Sequence, residues 1–211
     1  MFDFKNGKFK NNRQGYLFSY SQMIFNQARR LMIIEINPDK KKEPEGFRKF
    51  TFQYEQEAEK KECQILCVLT SALFVEAYIF DYCARKKSAN YFSKYLDKLD
   101  PVSKWIITTK LICSPGIEEG SDIIRKLNSL FTFRNKLVHH KTKSSIDFMD
   151  TPDFPEELTP LKCITMIKEL LEKLMILDPN EQFADFILSH FKSWIGNTSK
   201  DYEMYPILWE A

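Results

Sequence analysis

The residues of this chain best suited to chemistry are an arginine, an asparagine and a histidine that lie within residues 133–143. Arg134 carries a permanent positive charge, and its planar guanidinium matches the paired oxygens of a phosphate or a carboxylate. His139 carries an imidazole that titrates near neutral pH, so it can donate or accept a proton. Asn135 adds an amide between them. Side chains of these types suit anion binding and proton transfer.

A helix is predicted to position these three side chains, because the apolar residues around them recur at helical spacing. Asn135 and His139 are one turn apart on this helix and lie along the edge of its apolar arc, in line with Asn128. Arg134 falls near the middle of the arc, where its charge must find an anion from the protein or from a ligand. The arc consists of Ile123, Leu127, Leu130, Phe131, Leu137 and Val138.

The rest of the chain also shows helical spacing of apolar residues, interrupted at Asn-Pro, Asp-Pro and Ser-Pro-Gly steps. Asp100 and Ser121 are expected to cap the helices that follow them, with Pro101 at the first helical position. The pattern predicts an all-α protein, an up-and-down helical bundle. Helices are predicted at about residues 16–36, 55–85, 88–99, 101–113, 122–140, 159–177 and 179–194.

The chain has 211 residues, which is about one domain. We expect an N-terminal extension at residues 1–15 and a helical domain at residues 16–177. A C-terminal helix and an aromatic tail, residues 178–211, are expected to pack on the same domain. Loops are expected at residues 37–50, where lysines predict a solvated segment, and at residues 141–158.

Composition bounds the class of protein. The net charge of +2 is too small to indicate a nucleic-acid binder, so any basic patch must be local. Only six glycines argue against glycine-rich phosphate loops. The five cysteines are odd in number and scattered, so they are expected to be reduced core thiols rather than disulfides or metal ligands. We therefore expect no metal and no other cofactor.

The chain gives no clear targeting signal. Its first residues, M-F-D-F-K-N-G-K, lack the apolar centre of a signal peptide. The apolar stretch at residues 65–80 is shorter than the roughly 20 residues that a membrane-spanning helix needs. It is predicted to be a helix buried in the protein interior. We expect a cytoplasmic protein without a membrane partner.

The motif resembles that of the HEPN superfamily, in which a polar residue directly follows an arginine and four residues separate that arginine from a histidine. Here the three positions are Arg134, Asn135 and His139. Residues 69–78, L-T-S-A-L-F-V-E-A-Y, are similar to the long second helix of bacterial HEPN proteins, which often carries a glutamate among small and apolar residues. Residues 100–106, D-P-V-S-K-W-I, are similar to their central region.

The resemblance covers about residues 16–177 and implies a bundle of HEPN type. It also implies a metal-independent endoribonuclease, often a toxin or an antiviral-defence effector, that cleaves RNA as a homodimer. In such dimers two motif helices meet across a two-fold axis, so that both sets of side chains line one cleft. The axis supplies a second histidine, because the reaction needs both an acid and a base.

The resemblance also implies a role for each residue. His139 serves the attack of the 2′-hydroxyl and the departure of the 5′-oxygen, and Arg134 neutralises the charge that builds on phosphorus. Asn135 holds the histidine tautomer or contacts phosphate. The accessory candidates are His140, Glu76, Lys136 and Lys141. His140 is the alternative to His139 as the working imidazole, which would require a slight distortion of the helix.

Family members that a nucleotidyltransferase antitoxin silences carry a tyrosine two residues after the histidine. Lys141 occupies that position here, so the resemblance does not carry this control over to the chain. A protein antitoxin of another kind, or another regulator, is an expected partner.

Each of these side chains also has a structural interpretation. Arg134 can form an internal ion pair with Glu76, since each is a charge on an apolar helix face. His139 and His140 can occupy the C-terminal end of the helix, where positive charge is favourable. Lysines 136, 141 and 143 are by default a solvated face. The aromatic rings near residues 91–95 are predicted to lie in the core.

Three hypotheses for the function follow. The first is a ribonuclease of HEPN type, and the second is a HEPN-like domain without catalysis that serves dimerisation or partner binding. The third is an unrelated helical bundle in which the motif is a coincidence. The presence of both Arg134 and His139 favours the first over the second, because a scaffold has no need of the pair.

Overall fold

Helices make up most of the chain that this computed structural model describes, namely residues 4–5, 8–9, 12–36, 47–139, 154–155 and 158–196. Strands β1 (Phe4–Lys5) and β2 (Lys8–Phe9) pair antiparallel. The helices within the described residues are α1 (Asn12–Ile36), α2 (Phe47–Lys86), α3 (Ala89–Tyr95), α4 (Pro101–Ile112), α5 (Asp122–Val138), α6 (Pro160–Leu177) and α7 (Gln182–Gly196). The protein is all-α, as the sequence predicts.

Helix starts follow local capping signals at one predicted position and depart from them at another. Asp100 Oδ1 accepts hydrogen bonds from the backbone N–H groups of Val102 and Ser103 at 3.1 and 3.0 Å, which confirms that cap. Ser121 occupies the N-cap position of α5, but its side chain makes no cap hydrogen bond. Its hydroxyl donates instead to the carbonyl of Glu118 at 2.7 Å. The predicted N-cap position of Ser121 is therefore confirmed, but its hydroxyl closes the preceding turn instead of accepting a hydrogen bond from α5.

Several helix bounds differ from the prediction: α1 begins at Asn12 rather than near residue 16, and α3 ends at Tyr95 rather than near residue 99. Helix α2 begins at Phe47, so part of the predicted loop at residues 37–50 is helical. No glycine or proline at residues 47–56 interrupts it. Helix α5 ends at Val138 rather than near residue 140. Residues 37–46 and 140–153, which include most of both predicted loops, lie outside the described residues.

The aromatic rings of α3 divide between the core and the surface. Phe92 and Leu96 are 2% and 3% exposed and join a small apolar cluster with Cys83 of α2. Tyr95 is 58% exposed, so its predicted burial is wrong. Phe92 and Leu96 are one turn apart and take the buried face of this short helix, which leaves Tyr95 on the outer side.

Helix α2 runs through the centre of the bundle and contacts α1, α3, α4, α5 and α6. Its second half is apolar around most of its surface, and neighbouring helices cover it on several sides. The Tyr78 ring stacks on Trp105 of α4 and on Phe183 of α7, with ring centroids 6.0 and 5.9 Å apart. The Trp105 indole N–H donates to the carbonyl of Val75 at 3.1 Å. These contacts confirm that residues 65–80 form a buried helix.

By length and composition alone, the part of α2 from Glu57 to Lys86 is long and apolar enough to cross a membrane. In its most apolar window, 56% of the residues are buried within the bundle. Core helices of soluble proteins pass the same test. The absence of a membrane partner stays a prediction.

A buried polar network joins α2 to the residue just before α7. Arg85 donates to the two carboxylate oxygens of Glu181 at 2.8 Å each and to Asp81 at 2.7 Å. The Tyr78 hydroxyl donates to Glu181 at 2.9 Å. Glu181 and Asp81 are each 1% exposed, so the guanidinium is what offsets the cost of burying their charges.

A second carboxylate in the same turn extends the network. Asp178 accepts a hydrogen bond from the Tyr82 hydroxyl at 2.9 Å and pairs with Lys86. Burial opposes ionisation of Asp178, but the hydrogen bonds from Lys86 and Tyr82 outweigh it and lower the pKa of that carboxyl below its usual value. Helix α7 also packs on α6 and α1. The aromatic tail after residue 196 lies outside the described residues.

Candidate functional site

Helix α5 carries the predicted site, and its burial decides how each side chain is presented. Its buried residues are Ile123, Ile124, Leu127, Leu130, Phe131 and Phe133. Leu137 is half-buried, and Val138 is 52% exposed. The predicted burial of Val138 is wrong, because the neighbouring helices cover the apolar arc less completely at its C-terminal end. The apolar arc of α5 is therefore partly exposed at its C-terminal end.

Arg134 lies on this partly open stretch of the arc and pairs with Glu76 of α2. Arg134 Nη2 is 3.8 Å from Glu76 Oε2, and Nη1 donates to Asn135 Oδ1 at 3.0 Å. The side chains of Arg134 and Glu76 are 29% and 31% exposed. The predicted ion pair is confirmed, but it is not a closed clasp. A guanidinium has five N–H donors, and these contacts leave some of them available to a ligand.

His139 is the C-cap residue of α5, and its imidazole is exposed. Its backbone N–H donates to the carbonyl of Asn135 at 2.9 Å, and its φ and ψ of −111° and 36° end the helix. Within the part of the chain that the structure describes, no residue makes a hydrogen bond with the ring. The predicted position at the helix end is confirmed, and the ring is exposed.

The structure brings Arg134, Asn135 and Glu76 together but leaves His139 on another side of α5. Arg134 and His139 are five positions apart, and a helix of 3.6 residues per turn places such residues about 140° apart around its axis. One subunit therefore does not direct both side chains at the same few atoms. The accessory candidates His140 and Lys141 lie outside the described residues.

Lys136, the remaining accessory candidate, lines a polar groove on the outer face of α5. The groove has a volume of about 430 Å³. One wall is formed by Arg125, Asn128, Ser129, Thr132 and Lys136 of α5. Residues 119–121 and Pro155 lie across from it. Lys136 thus belongs to a surface that begins at the N-terminal end of α5 and reaches the turn before His139.

Ion pairs fix the charges at the N-terminal end of α5. Lys126 Nζ lies 2.9 Å from Asp122 and 2.6 Å from Glu169 of α6, and Arg125 also pairs with Asp122. Partial burial of Lys126 opposes its charge, but the hydrogen bonds with Glu169 and Asp122 prevail and raise its pKa. The hydrogen bond with Lys126 lowers the pKa of Asp122. Lys126 and Asp122 are therefore both charged at neutral pH.

Sequence reasoning missed this groove and the network around Arg85. The polar residues of the outer face of α5 recur at helical spacing, which is also the pattern of an ordinary solvated face. A groove exists only because residues 119–121 and Pro155 lie opposite. Gly116 helps to place that wall: its φ is +80°, and an added Cβ would lie 2.6 Å from the backbone nitrogen of Lys110.

Within the described residues, no three side chains of histidine, cysteine, aspartate or glutamate lie together as ligands for a metal ion. All five cysteines are buried, as predicted. A hydrogen bond with Cys163 and burial raise the pKa of the Cys67 thiol well above its usual value.

The fold and this site define an all-α bundle that presents an arginine, an asparagine and a histidine at the end of one helix, beside a polar groove. Comparison of the chain with protein-family models, with curated proteins and with solved structures found no match. Its function is therefore argued from the site.

Proposed function

We propose that this protein is a metal-independent endoribonuclease of HEPN type that acts as a homodimer in the cytoplasm, as a toxin or an antiviral-defence effector. One observation carries the proposal. Arg134 is held by Glu76 and Asn135 yet keeps 29% of its side chain exposed, and the exposed imidazole of His139 lies five residues later, at the end of the same helix. A purely structural arginine at this position would gain more from a closed contact.

The chemistry needs only these groups. One histidine takes the proton of the 2′-hydroxyl as its oxygen attacks phosphorus, and the symmetry-related histidine gives a proton to the departing 5′-oxygen. The products are a 2′,3′-cyclic phosphate and a 5′-hydroxyl. Arg134 neutralises the added charge on the phosphorane oxygens, which its fork can contact in pairs. Asn135 orients the guanidinium through its 3.0 Å hydrogen bond.

Two exposed apolar side chains support the homodimer. Leu73 of α2, three residues before Glu76, is 42% exposed, and Val138, one turn after Arg134, is 52% exposed. By helical spacing, Leu73 lies on the same face of α2 as Glu76, and Val138 lies on the same face of α5 as Arg134. A two-fold contact here buries this surface and brings a second His139 towards Arg134, which the separation of these side chains within one subunit requires.

The test compares the wild type with His139→Ala and Arg134→Ala, both as purified proteins incubated with RNA and as proteins induced in a bacterial host. We expect each substitution to lower the cleavage rate by at least about 100-fold. Lys173→Ala, an exposed cation on α6, is the matched control and should cleave like the wild type. Equal RNA cleavage by all four proteins, or intact RNA with all of them, contradicts the nuclease.

The second candidate function is a HEPN-like dimerisation or partner-binding protein without catalysis. The ion pair between Arg134 and Glu76 favours it, because the pair also fixes α5 against α2. In that case RNA stays intact, and Arg134→Ala weakens self-association or folding while His139→Ala changes neither. Self-association measured by sedimentation separates the two candidates.

A further inference from the structure

Two adjacent grooves lie along the outer face of α5 and share residues. The first is the groove of about 430 Å³ that Lys136 lines. The second has a volume of about 480 Å³ and lies between α5 and α6, where Lys162 and Thr165 line it. Arg125 and Ser129 line both, so the two form one continuous surface, here called the α5 double groove.

Cations dominate the lining of the α5 double groove. Arg125, Lys126, Lys136 and Lys162 line it, and Glu119 is the one carboxylate among the described lining residues. Glu119 is itself paired with Lys110 at 3.1 Å. Asp122 forms an ion pair with Arg125, and Glu169 forms one with Lys126. Among the described residues this surface has more cations than carboxylates, and the Arg125 side chain is 79% exposed.

Uncharged polar side chains lie between these cations. Asn128, Ser129 and Thr132 line the first groove, and amides and hydroxyls of this kind hydrogen-bond phosphate and sugar oxygens. Asn128, Thr132, Asn135 and His139 follow the spacing i, i+4, i+7 and i+11, so one polar stripe leads from the groove to the imidazole. From Ser121 to Lys136 the lining of α5 extends about 22 Å at the rise of a helix.

We propose that the α5 double groove binds the sugar–phosphate backbone of single-stranded RNA and leads it to His139. The inference rests on the proposed function and adds where the substrate lies. Spaced cations with hydroxyls and amides between them fit a chain of phosphates and riboses. A flexible single strand can follow the groove, with Arg125 and Lys136 as its two exposed charge contacts.

The experiment measures RNA binding on the His139→Ala background, so that the probe is not consumed. A short unstructured RNA with a fluorescent label is titrated by anisotropy at several salt concentrations. The test variant also carries Arg125→Gln and Lys136→Gln. The matched control carries Lys98→Gln and Lys173→Gln, two exposed lysines that line neither groove.

Loss of two phosphate contacts should make the slope of log affinity against log salt less negative by about 1.4. That change corresponds to an affinity about 25-fold weaker at 0.1 M salt. The control should match its parent in affinity and slope. Three results would contradict RNA binding by the α5 double groove. They are an unchanged slope in the test variant, an equal loss of affinity in the control, and no RNA binding by the His139→Ala parent.

Cleavage assays separate this inference from the proposed function. In the cleaving protein, Arg125→Gln with Lys136→Gln should raise KM and leave kcat nearly unchanged, because the groove holds RNA away from the reacting bond. Wild-type KM in this variant overturns the groove and leaves the nuclease intact. RNA binding with the predicted salt slope but without cleavage overturns the nuclease alone.

Discussion

Glu76 and Arg134 show how a single ion pair can be partly structural and still serve a site. The carboxylate lies 3.8 Å from the guanidinium, and each side chain keeps about a third of its surface exposed, at 31% and 29%. Ion pairs of this exposure contribute little to stability, since water screens them and ordering both side chains costs entropy. Their effect on the direction of the guanidinium can be larger than their effect on folding.

We therefore expect Glu76→Gln to lower the free energy of unfolding by less than about 1 kcal/mol. RNA cleavage should fall by a larger factor, because Arg134 loses the charge that orients it. Urea unfolding and cleavage rates of the same preparation check both expectations. A loss of several kcal/mol, with cleavage reduced only in proportion to the folded fraction, would show that the pair is purely structural.

The carboxyl of Asp178 gives a prediction that depends on pH. Hydrogen bonds from Lys86 and Tyr82 lower the pKa of Asp178 in the folded protein despite the opposing effect of burial. A carboxyl with a lowered folded pKa stabilises the protein above its unfolded pKa of about 3.9 and loses that contribution as pH falls through the folded pKa. The stabilisation is thus present at neutral pH and disappears in acid.

Asp178→Asn should cost about 2 kcal/mol of unfolding free energy at neutral pH, as hydrogen bonds to a charged group are removed. The difference from the wild type should shrink below about pH 4, as Asp178 of the wild type takes up a proton. Urea unfolding across this pH range measures it. Asp97→Asn, at an exposed carboxyl, is the control. A difference that stays constant into acid contradicts the role of the Asp178 charge.

At the scale of single elements, helices α4 and α5 begin in different ways. Asp100 accepts two backbone hydrogen bonds at the start of α4, whereas the Ser121 hydroxyl at the start of α5 donates away from its own helix to Glu118. A residue type that suits a cap is therefore not sufficient evidence of one. The turn that precedes the helix decides where the side chain points.

This contrast makes a paired prediction. Asp100→Ala should lower the free energy of unfolding by about 1 kcal/mol, because two N–H groups of α4 lose their acceptor. Ser121→Ala should cost less than about 0.5 kcal/mol, since only one exposed turn contact is lost. Thermal or urea unfolding of the two variants under one condition compares them. Equal costs would mean that Ser121 also supports its helix.

For the whole molecule, the open end of the α5 arc is the surface that a second copy should cover. Leu73→Asp with Val138→Asp places two charges in this apolar surface, so it should shift a homodimer to monomer and abolish cleavage. Ile176→Asp is the matched control, because Ile176 is 74% exposed on α6 and should leave the assembly unchanged. Light scattering coupled to size exclusion measures the mass. A dimer that survives the double substitution uses another surface.

The all-α fold could be predicted because helical periodicity is a local property. Arg134 and Glu76 each place a charge on an apolar helix face. This was enough to predict their ion pair, although the two residues are far apart in the sequence. The exposure of Val138 and the groove beside Lys136 could not be predicted, since each depends on what the neighbouring segments cover. The contacts of Arg85 with Glu181 join residues 96 positions apart, and no spacing rule connects them.

The order in which the chain is synthesised determines when the Arg85 network can form. A ribosome makes Arg85 long before Glu181, so during translation of α3, α4, α5 and α6 the guanidinium has Asp81 alone as a described carboxylate partner. The buried Arg85 network cannot form until the turn before α7 has left the ribosome. Until then the helices made earlier lack the ion pair between Arg85 and Glu181 that joins α2 to the turn before α7.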